Sequence, residues 1–190
     1  MLGLSHLRLL VHSTLLWLAW DFPLTLSDCS FEDKYPELGH NETVVLAFYT
    51  MWIGFEMGTT ILETPIRKDM LFHHIFTIIC VLVGWQQSAQ CPTYAIVRAT
   101  LLCEPAVDLY FLFKNTQVHA VTDTLLFVLF PYTRTYLMFY NVVYPLLFES
   151  AVNTDAPSQF MGAGVVMLIY GMQWMWSIKI IKGGLAKLIK

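Results

Sequence analysis

Apolar runs of about 20 residues constrain the fold of this chain more than any other feature. Of the 190 residues, 56% are hydrophobic and 13% are charged, whereas a soluble domain carries roughly twice that charged fraction. The runs lie at about 2–20, 44–63, 70–88, 93–113, 120–149 and 160–182. Each of them is long enough to cross a bilayer as a helix.

Backbone chemistry favours helices over strands for these runs. In lipid, every N–H and C=O group must bond within its own segment or within a closed barrel. The runs lack the polar–apolar alternation of barrel strands. We therefore predict an all-α fold, a multi-pass membrane helical bundle of about six transmembrane helices that forms one domain over residues 1–190. Membrane lipids are the expected partners, and no basic patch indicates nucleic acid.

The basic residues predict which side each loop faces, because short cytosolic loops are enriched in Lys and Arg. Arg67 and Lys68 separate the second and third runs, and Lys114 ends the fourth. Both termini are therefore predicted to be cytosolic. The acidic loop at 21–43 is predicted to be lumenal, where the sequon that begins at Asn41 could carry a glycan.

The cysteines divide by the same predicted topology. Cys29 and Cys91 fall in lumenal loops, where a disulfide between them could persist. Cys80 and Cys103 fall inside apolar runs, where a buried cysteine usually acts as a small hydrophobic residue. Several connectivities are open to four cysteines, so spacing alone does not establish the Cys29–Cys91 bridge.

His73 and His74 stand one turn inside the third run. Titratable groups in hydrocarbon are costly and usually face a cavity or a partner. Histidine suits proton transfer or nucleophilic attack near neutral pH, so both residues are candidate catalytic residues. Adjacent side chains diverge by about 100° on a helix. This disfavours a shared zinc ion, so no metal is predicted, and it favours one ring facing a pocket while the other bonds to a neighbouring helix.

Several acidic residues are predicted at a similar depth, in the same half of the membrane as the histidines. Glu104 and Asp108 lie one turn apart on one face of the fourth run, and Asp108 is a further candidate catalytic residue. Glu56 lies in the second run and Asp123 in the fifth. Polar groups also hold membrane helices together, at about 1 kcal/mol per hydrogen bond. So many groups at one depth nevertheless favour a functional pocket.

Arg134 and Trp174 complete the predicted lipid pocket, together with Glu56 and Glu104. Arg134 lies about 20 Å into the fifth run by the helical rise, after Pro131, which should distort the helix. An arginine at that depth needs an acidic partner or water. The sequence does not choose between Glu56 and Glu104. Trp174 and Trp176, in the last run, are predicted to line a tunnel for an acyl chain.

Five short stretches carry a further signal in their order along the chain. They are Arg8-Leu9-Leu10-Val11-His12-Ser13, Asp69-Met70-Leu71-Phe72-His73-His74, Leu102-Cys103-Glu104-Pro105 with Asp108, Phe130-Pro131-Tyr132-Thr133-Arg134, and Gln173-Trp174-Met175-Trp176 with Lys179 and Lys182. Together they resemble the TLC domain. That family includes ceramide synthases, the translocon-associated TRAM proteins and a lipofuscinosis protein.

The resemblance implies a role for the histidine pair. In ceramide synthases, that pair is required for acyl transfer from acyl-CoA to a sphingoid base, and the role would fall here on His73 and His74. Those enzymes carry His-Asp where this chain has Glu104 and Pro105, and only Asp108 matches. The chain therefore looks closer to the smaller TLC-domain proteins, which are linked to membrane lipid composition.

The leading hypothesis is an endomembrane protein that binds or senses lipid and contributes to membrane lipid homeostasis, with no cofactor. The endoplasmic reticulum is the expected compartment, and the Golgi apparatus and plasma membrane are the alternatives. The first alternative function is a ceramide synthase-type, acyl-CoA-dependent N-acyltransferase of sphingolipid metabolism, with acyl-CoA as substrate. The second is a membrane cargo or translocation accessory, although the short loops leave little surface for cargo.

Overall fold

The structure is a computed structural model that describes residues 3–20, 22, 40–86, 90–148 and 156–188. Regular structure in these residues is entirely helical, which confirms the prediction of an all-α membrane bundle. Two segments, Thr43–Leu62 and Gly164–Ala186, are long and apolar enough to cross a membrane by length and composition alone. The membrane limits of the six runs stay a prediction.

The helices form six rods, one in each predicted run. The first three rods are α1 (Leu4–Leu18), α2 (His40–Leu62) and α3 (Lys68–Gln86). The fourth rod contains α4 (Gln90–Leu101) and α5 (Glu104–Phe113). The fifth contains α6 (His119–Pro131), two π-helical stretches (Tyr132–Leu137 and Phe139–Val143) and α7 (Tyr144–Phe148). The sixth is α8 (Ala156–Leu188).

Proline accounts for the helix interruptions in the fourth and fifth rods. Pro105 lies in the first turn of α5, where a missing N–H removes no intrahelical bond. The fourth rod is therefore free to end α4 at Leu101 and restart at Glu104. In the fifth rod, Pro131 ends α6 and the chain continues as a π-helix from Tyr132. The distortion predicted after Pro131 takes this π-helical form.

The rods pack as a closed ring. Around the ring the order is α1, α2, α3, α8, α6 and α5, and α5 packs again on α1. The short helix α4 packs against α1, α3 and the π-helical stretches. Because these partners lie on different sides of the ring, α4 crosses the interior of the ring and closes one end of it.

Buried apolar side chains fill the closed end. One cluster joins α1, α2 and α4 through residues such as Leu15, Leu46 and Val97. A second joins α4 to the fifth rod and α8, with Ala95 and Val142 fully buried. The other end, where α3 and α6 begin and α2 and α8 finish, is open.

Two predictions concern side chains outside the described part. Cys29 lies wholly outside it, and for Asn41 and Cys91 the structure describes helical backbone but no side chain. The Asn41 glycan and the Cys29–Cys91 bridge therefore stay predictions, as does the orientation of the termini. Cys80 and Cys103 are free thiols.

Candidate functional site

A cavity of about 760 Å³ occupies the open end of the ring. This volume is within the range of small-molecule sites, roughly 300–1,000 Å³. Arg67 and Asp69 line its mouth at the start of α3, and Lys179 on α8 lies near enough for its charge to act on Asp69. Along α8 the lining runs inward from Gly184 to Gln173, about 16 Å by the helical rise.

The cavity brings most of the predicted site residues together. Its lining includes Glu56, His73, His74, Glu104, Asp108 and Arg134. Asp123, expected at the same depth, also borders it. The catalytic or lipid-binding roles assigned to these residues from the sequence stay predictions.

The structure corrects the prediction for Trp174. That side chain is 46% exposed and meets Tyr170 edge-to-face on the outer side of α8. Trp176 lines the cavity. Successive residues turn by about 100° around a helix, so two tryptophans two positions apart face nearly opposite sides. Only one of them can face inward.

One side of the cavity carries acid–base pairs, and we call it the paired wall. It consists of Arg8 with Glu56, His12 with Asp108, and Arg134 with Glu104. Arg8 Nε lies 3.1 Å from Glu56 Oε1, an ion pair without hydrogen-bond geometry that connects α1 to α2. Arg134 donates from Nη2 to Glu104 and from Nε to Cys103 Sγ at 2.8 Å. The partner of Arg134 that the sequence left open is therefore Glu104.

Both ring nitrogens of His12 are engaged in hydrogen bonds. Trp52 Nε1 donates to His12 Nε2 over 2.8 Å, so Nε2 acts as the acceptor. Nδ1 then carries the proton and donates to Asp108 Oδ2 over 2.6 Å. The ring is 2% exposed. A neutral imidazole whose lone pair already accepts an indole N–H has no free base to offer, so His12 joins α1, α2 and α5.

Sequence reasoning did not place His12 in the pocket, although a local signal was present. Arg8 and His12 are four residues apart and so lie on one face of α1. Two polar side chains on one face of an otherwise apolar helix indicate that this face points into the protein. Gln173 was also missed, although Ser177 lies four residues after it on the same face of the last run.

The facing side of the cavity is polar but not paired, and we call it the unpaired wall. It consists of His73 and His74 on α3 and Gln173 on α8. Nδ1 of each histidine and both amide atoms of Gln173 are buried without a hydrogen-bond partner among the described residues. Leaving such atoms unsatisfied costs about 1–3 kcal/mol each. Buried groups of this kind in native proteins usually bind a ligand or ordered water.

Both histidine rings line the cavity, whereas the sequence predicted that one would bond to a neighbouring helix. His73 instead meets Trp176 edge-to-face, with ring centroids 5.0 Å apart, and the two imidazole centroids are 5.6 Å apart. The cavity is wide enough to border both rings. Asp69, one turn before His73, accepts a hydrogen bond from Trp176 Nε1 over 3.2 Å. It therefore orients the indole.

Asp69 at the mouth is held in its charged form. Partial burial acts to raise the pKa of its carboxyl. The Trp176 hydrogen bond, the Met70 amide, and the charges of Arg67 and Lys179 outweigh that effect and hold the pKa below its ordinary value. This anion stabilises the position of Trp176 between the mouth and His73.

The three carboxylates of the paired wall do not activate the histidine pair. Glu56, Glu104 and Asp108 are bound to Arg8, Arg134 and His12 respectively. A histidine that acts as base or nucleophile is usually oriented by a hydrogen bond at its second nitrogen. In the described part of the chain, Nδ1 of neither His73 nor His74 has such a partner. Neither imidazole therefore has, among the described residues, the orienting hydrogen bond that a general base or nucleophile usually has.

Apolar side chains complete the cavity between the two polar walls. They come mainly from α2, α5, α6 and α8 and include Leu126, Phe127, Phe130 and Ile180. Phe127 packs directly on the backbone of α8, because Gly184 has no Cβ that would collide with its ring. A molecule with one polar group and one hydrocarbon chain would find complementary surface for both.

Comparison with known proteins agrees with this architecture. A family model described as the TLC domain matches residues 5–182. The match includes every residue of the paired wall and of the unpaired wall. No curated protein and no solved structure matches the chain. Because the match covers nearly the whole sequence, the chain belongs to the TLC-domain family of membrane proteins.

Proposed function

We propose that this protein binds a membrane lipid in the cavity and thereby contributes to membrane lipid homeostasis. One observation carries the proposal. A cavity of about 760 Å³ joins two polar walls to an apolar surface inside a ring of helices. A lipid offers the same combination of polar group and hydrocarbon, and its chain would bury the aromatic side chains of α6.

Two glycines on α8 make the proposal testable. A Cβ added at Gly183, which lines the mouth, or at Gly171, which is not among the lining residues, would meet no atom within 4 Å. Gly183→Trp should therefore obstruct the mouth, while Gly171→Trp places the same side chain on the same helix away from it. We expect lipid that co-purifies with the protein to fall at least tenfold in Gly183→Trp and to persist in Gly171→Trp.

Mass spectrometry of lipids extracted from the purified variants gives the measurement. Equal lipid content in the two variants would contradict binding in the cavity. Cells that lack the protein should show an altered lipid profile that the wild type and Gly171→Trp restore and Gly183→Trp does not. If Gly183→Trp restores the profile, the cavity is not the functional site.

Acyl transfer of the ceramide synthase type is the second candidate. It is favoured by the position of His73 and His74, whose rings both border the cavity. The pairing of Glu56, Asp108 and Glu104 with Arg8, His12 and Arg134 argues against it, because these carboxylates are not available to orient His73 or His74. We expect purified protein to transfer no acyl group from acyl-CoA to sphinganine. Transfer that His74→Ala abolishes without loss of abundance would reverse the order of the two candidates.

We place the protein in the endoplasmic reticulum membrane with both termini and the cavity mouth on the cytosolic side. Arg67 and Lys179 at the mouth support this orientation, because basic residues mark cytosolic ends. Tags at either terminus should be digested by protease in intact microsomes. A protected C-terminal tag would overturn the orientation.

A further inference from the structure

We infer that the deep end of the cavity recognises a neutral lipid group that offers both a hydrogen-bond acceptor and a donor, such as a hydroxyl or primary amide. The inference rests on the proposed lipid binding and adds the chemistry of the bound group. It begins with Gln173, which is 0% exposed and borders the cavity about 16 Å from Gly184 along the helical rise of α8.

Four buried atoms near this end lack partners among the described residues. They are Oε1 and Nε2 of Gln173, Nη1 of Arg134 and Nδ1 of His73. All three side chains line the cavity and are at most 7% exposed. Native proteins carry few buried polar atoms without hydrogen-bond partners. A cluster of them at this depth destabilises the fold unless a ligand supplies the missing hydrogen bonds.

The types of these atoms restrict the ligand. Arg134 Nη1 can only donate, so the ligand must supply an acceptor oxygen. Gln173 Oε1 can only accept, so the ligand must also supply a donor, while Gln173 Nε2 can donate to the same oxygen. A hydroxyl or an amide meets both conditions. A hydrocarbon meets neither.

The charges around the deep end exclude an anionic group. The paired wall holds three carboxylates against two guanidinium groups, and His12 is neutral by its hydrogen bonds. One more negative charge would add to an existing excess in a region of low dielectric. A cationic group would instead face Arg134. A neutral group avoids both penalties.

Two polar residues of α8 form a matched pair for the test. Gln173 and Ser177 lie one turn apart and are 0% and 1% exposed. Ser177 Oγ bonds to Thr135 Oγ1 over 2.6 Å, whereas the amide of Gln173 has no partner. Gln173→Met keeps the length of the side chain and removes its polar atoms. Ser177→Ala removes a polar atom that has a partner.

The experiment measures binding of tritiated hexadecanamide to the purified protein, with hexadecanol, hexadecyl sulfate and hexadecane as competitors. We expect hexadecanol to compete at least tenfold better than hexadecyl sulfate or hexadecane with the wild type. Gln173→Met should weaken hexadecanamide binding at least tenfold, because the amide group of the probe then loses its hydrogen-bond partners on Gln173. Its melting temperature without added ligand should equal or exceed that of the wild type, whereas Ser177→Ala should lower it.

The outcomes separate this inference from the proposed function. If all the uncharged probes bind equally and Gln173→Met changes nothing, the protein binds lipid but the deep recognition site is refuted. If hexadecyl sulfate competes best, the charge argument is wrong. If Gln173→Met melts well below the wild type, Gln173 is a structural residue and the inference fails. If no probe binds the wild type, the proposed lipid binding fails with it.

Discussion

The two polar walls of the cavity contain similar residue types but use them differently. On the paired wall, Arg134 and Asp108 are 2% and 4% exposed and bind Glu104 and His12. On the unpaired wall, His74 and Gln173 are just as buried, at 3% and 0%, and carry polar atoms without partners among the described residues. Burial therefore does not distinguish a polar group that holds helices together from one that is able to receive a ligand. The hydrogen-bond partner distinguishes them.

Arg134 should be the most sensitive position of the paired wall. Arg134→Met leaves Glu104 as an uncompensated partly buried charge, so the free energy of unfolding should fall by about 3–5 kcal/mol. Unfolding of the purified protein by SDS titration gives the measurement. Because a hydrophobic pair often replaces a buried ion pair without loss, Arg134→Met with Glu104→Met should recover most of the stability. A double variant as unstable as the sum of the single variants would show that the pair does not couple.

Asp108→Ala should have the second largest effect. It leaves the Nδ1 proton of His12 without an acceptor, at a cost of about 2 kcal/mol. Asp108→Asn keeps an acceptor oxygen and is expected to lose less. The same SDS titration compares the two variants. Equal stability of Asp108→Ala and wild type would place Asp108 with the unpaired groups and weaken the contrast between the walls.

Trp176→Phe tests the contact at the mouth and its pH dependence. It keeps an aromatic ring against His73 but removes the indole donor to Asp69, so stability near neutral pH should fall by about 1 kcal/mol. Because the pKa of Asp69 is lowered in the folded protein, this stabilisation is present above its unfolded pKa, about 3.9, and is lost as the pH falls through the folded value.

Thermal unfolding of Trp176→Phe and the wild type should therefore differ most near neutral pH and converge as the pH falls below the folded pKa of Asp69. Asp69→Asn provides the control, because its asparagine does not titrate. A difference between Trp176→Phe and wild type that is constant with pH would mean that the hydrogen bond to Asp69 contributes nothing.

His74→Leu is expected to cause no loss of stability. It removes a buried imidazole whose Nδ1 has no partner among the described residues, so the free energy of unfolding should stay the same or rise. SDS titration again gives the measurement. A loss of about 1 kcal/mol or more, the size of one interhelical hydrogen bond, would move His74 to the paired class.

Local features of the sequence predicted more of the fold than of the site. The rods follow from apolar length, and the distortion after Pro131 follows from proline chemistry, which acts within one turn. The interruption of the fourth rod before Pro105 was not predicted, since that run was expected to form one continuous helix. The shared face of Glu104 and Asp108 follows from their spacing. These inferences need no knowledge of the neighbouring helices.

The pairing within the site depends on the arrangement of whole rods and could not be predicted in the same way. Depth alone allowed Arg134 to reach either Glu56 or Glu104, and the order of helices around the ring decides for Glu104. The choice between Trp174 and Trp176 depends on the rotation of α8 about its axis. A rotation of α8 by the angle between successive residues moves a side chain out of the cavity. The amino-acid composition does not determine that rotation.

The π-helical stretch after Pro131 makes the position of Arg134 depend on chain length as well as on residue identity. A π turn closes its hydrogen bond over one residue more than an α turn. Loss of one residue between Tyr132 and Leu137 would let the stretch close as an α-helix while the helices on either side keep their orientation, because the π turn accommodates the extra residue. Such a loss would change which side chain of the stretch lies opposite Glu104. Related chains that lack this residue are therefore expected to keep the rest of the cavity and to differ in the group that pairs with Glu104.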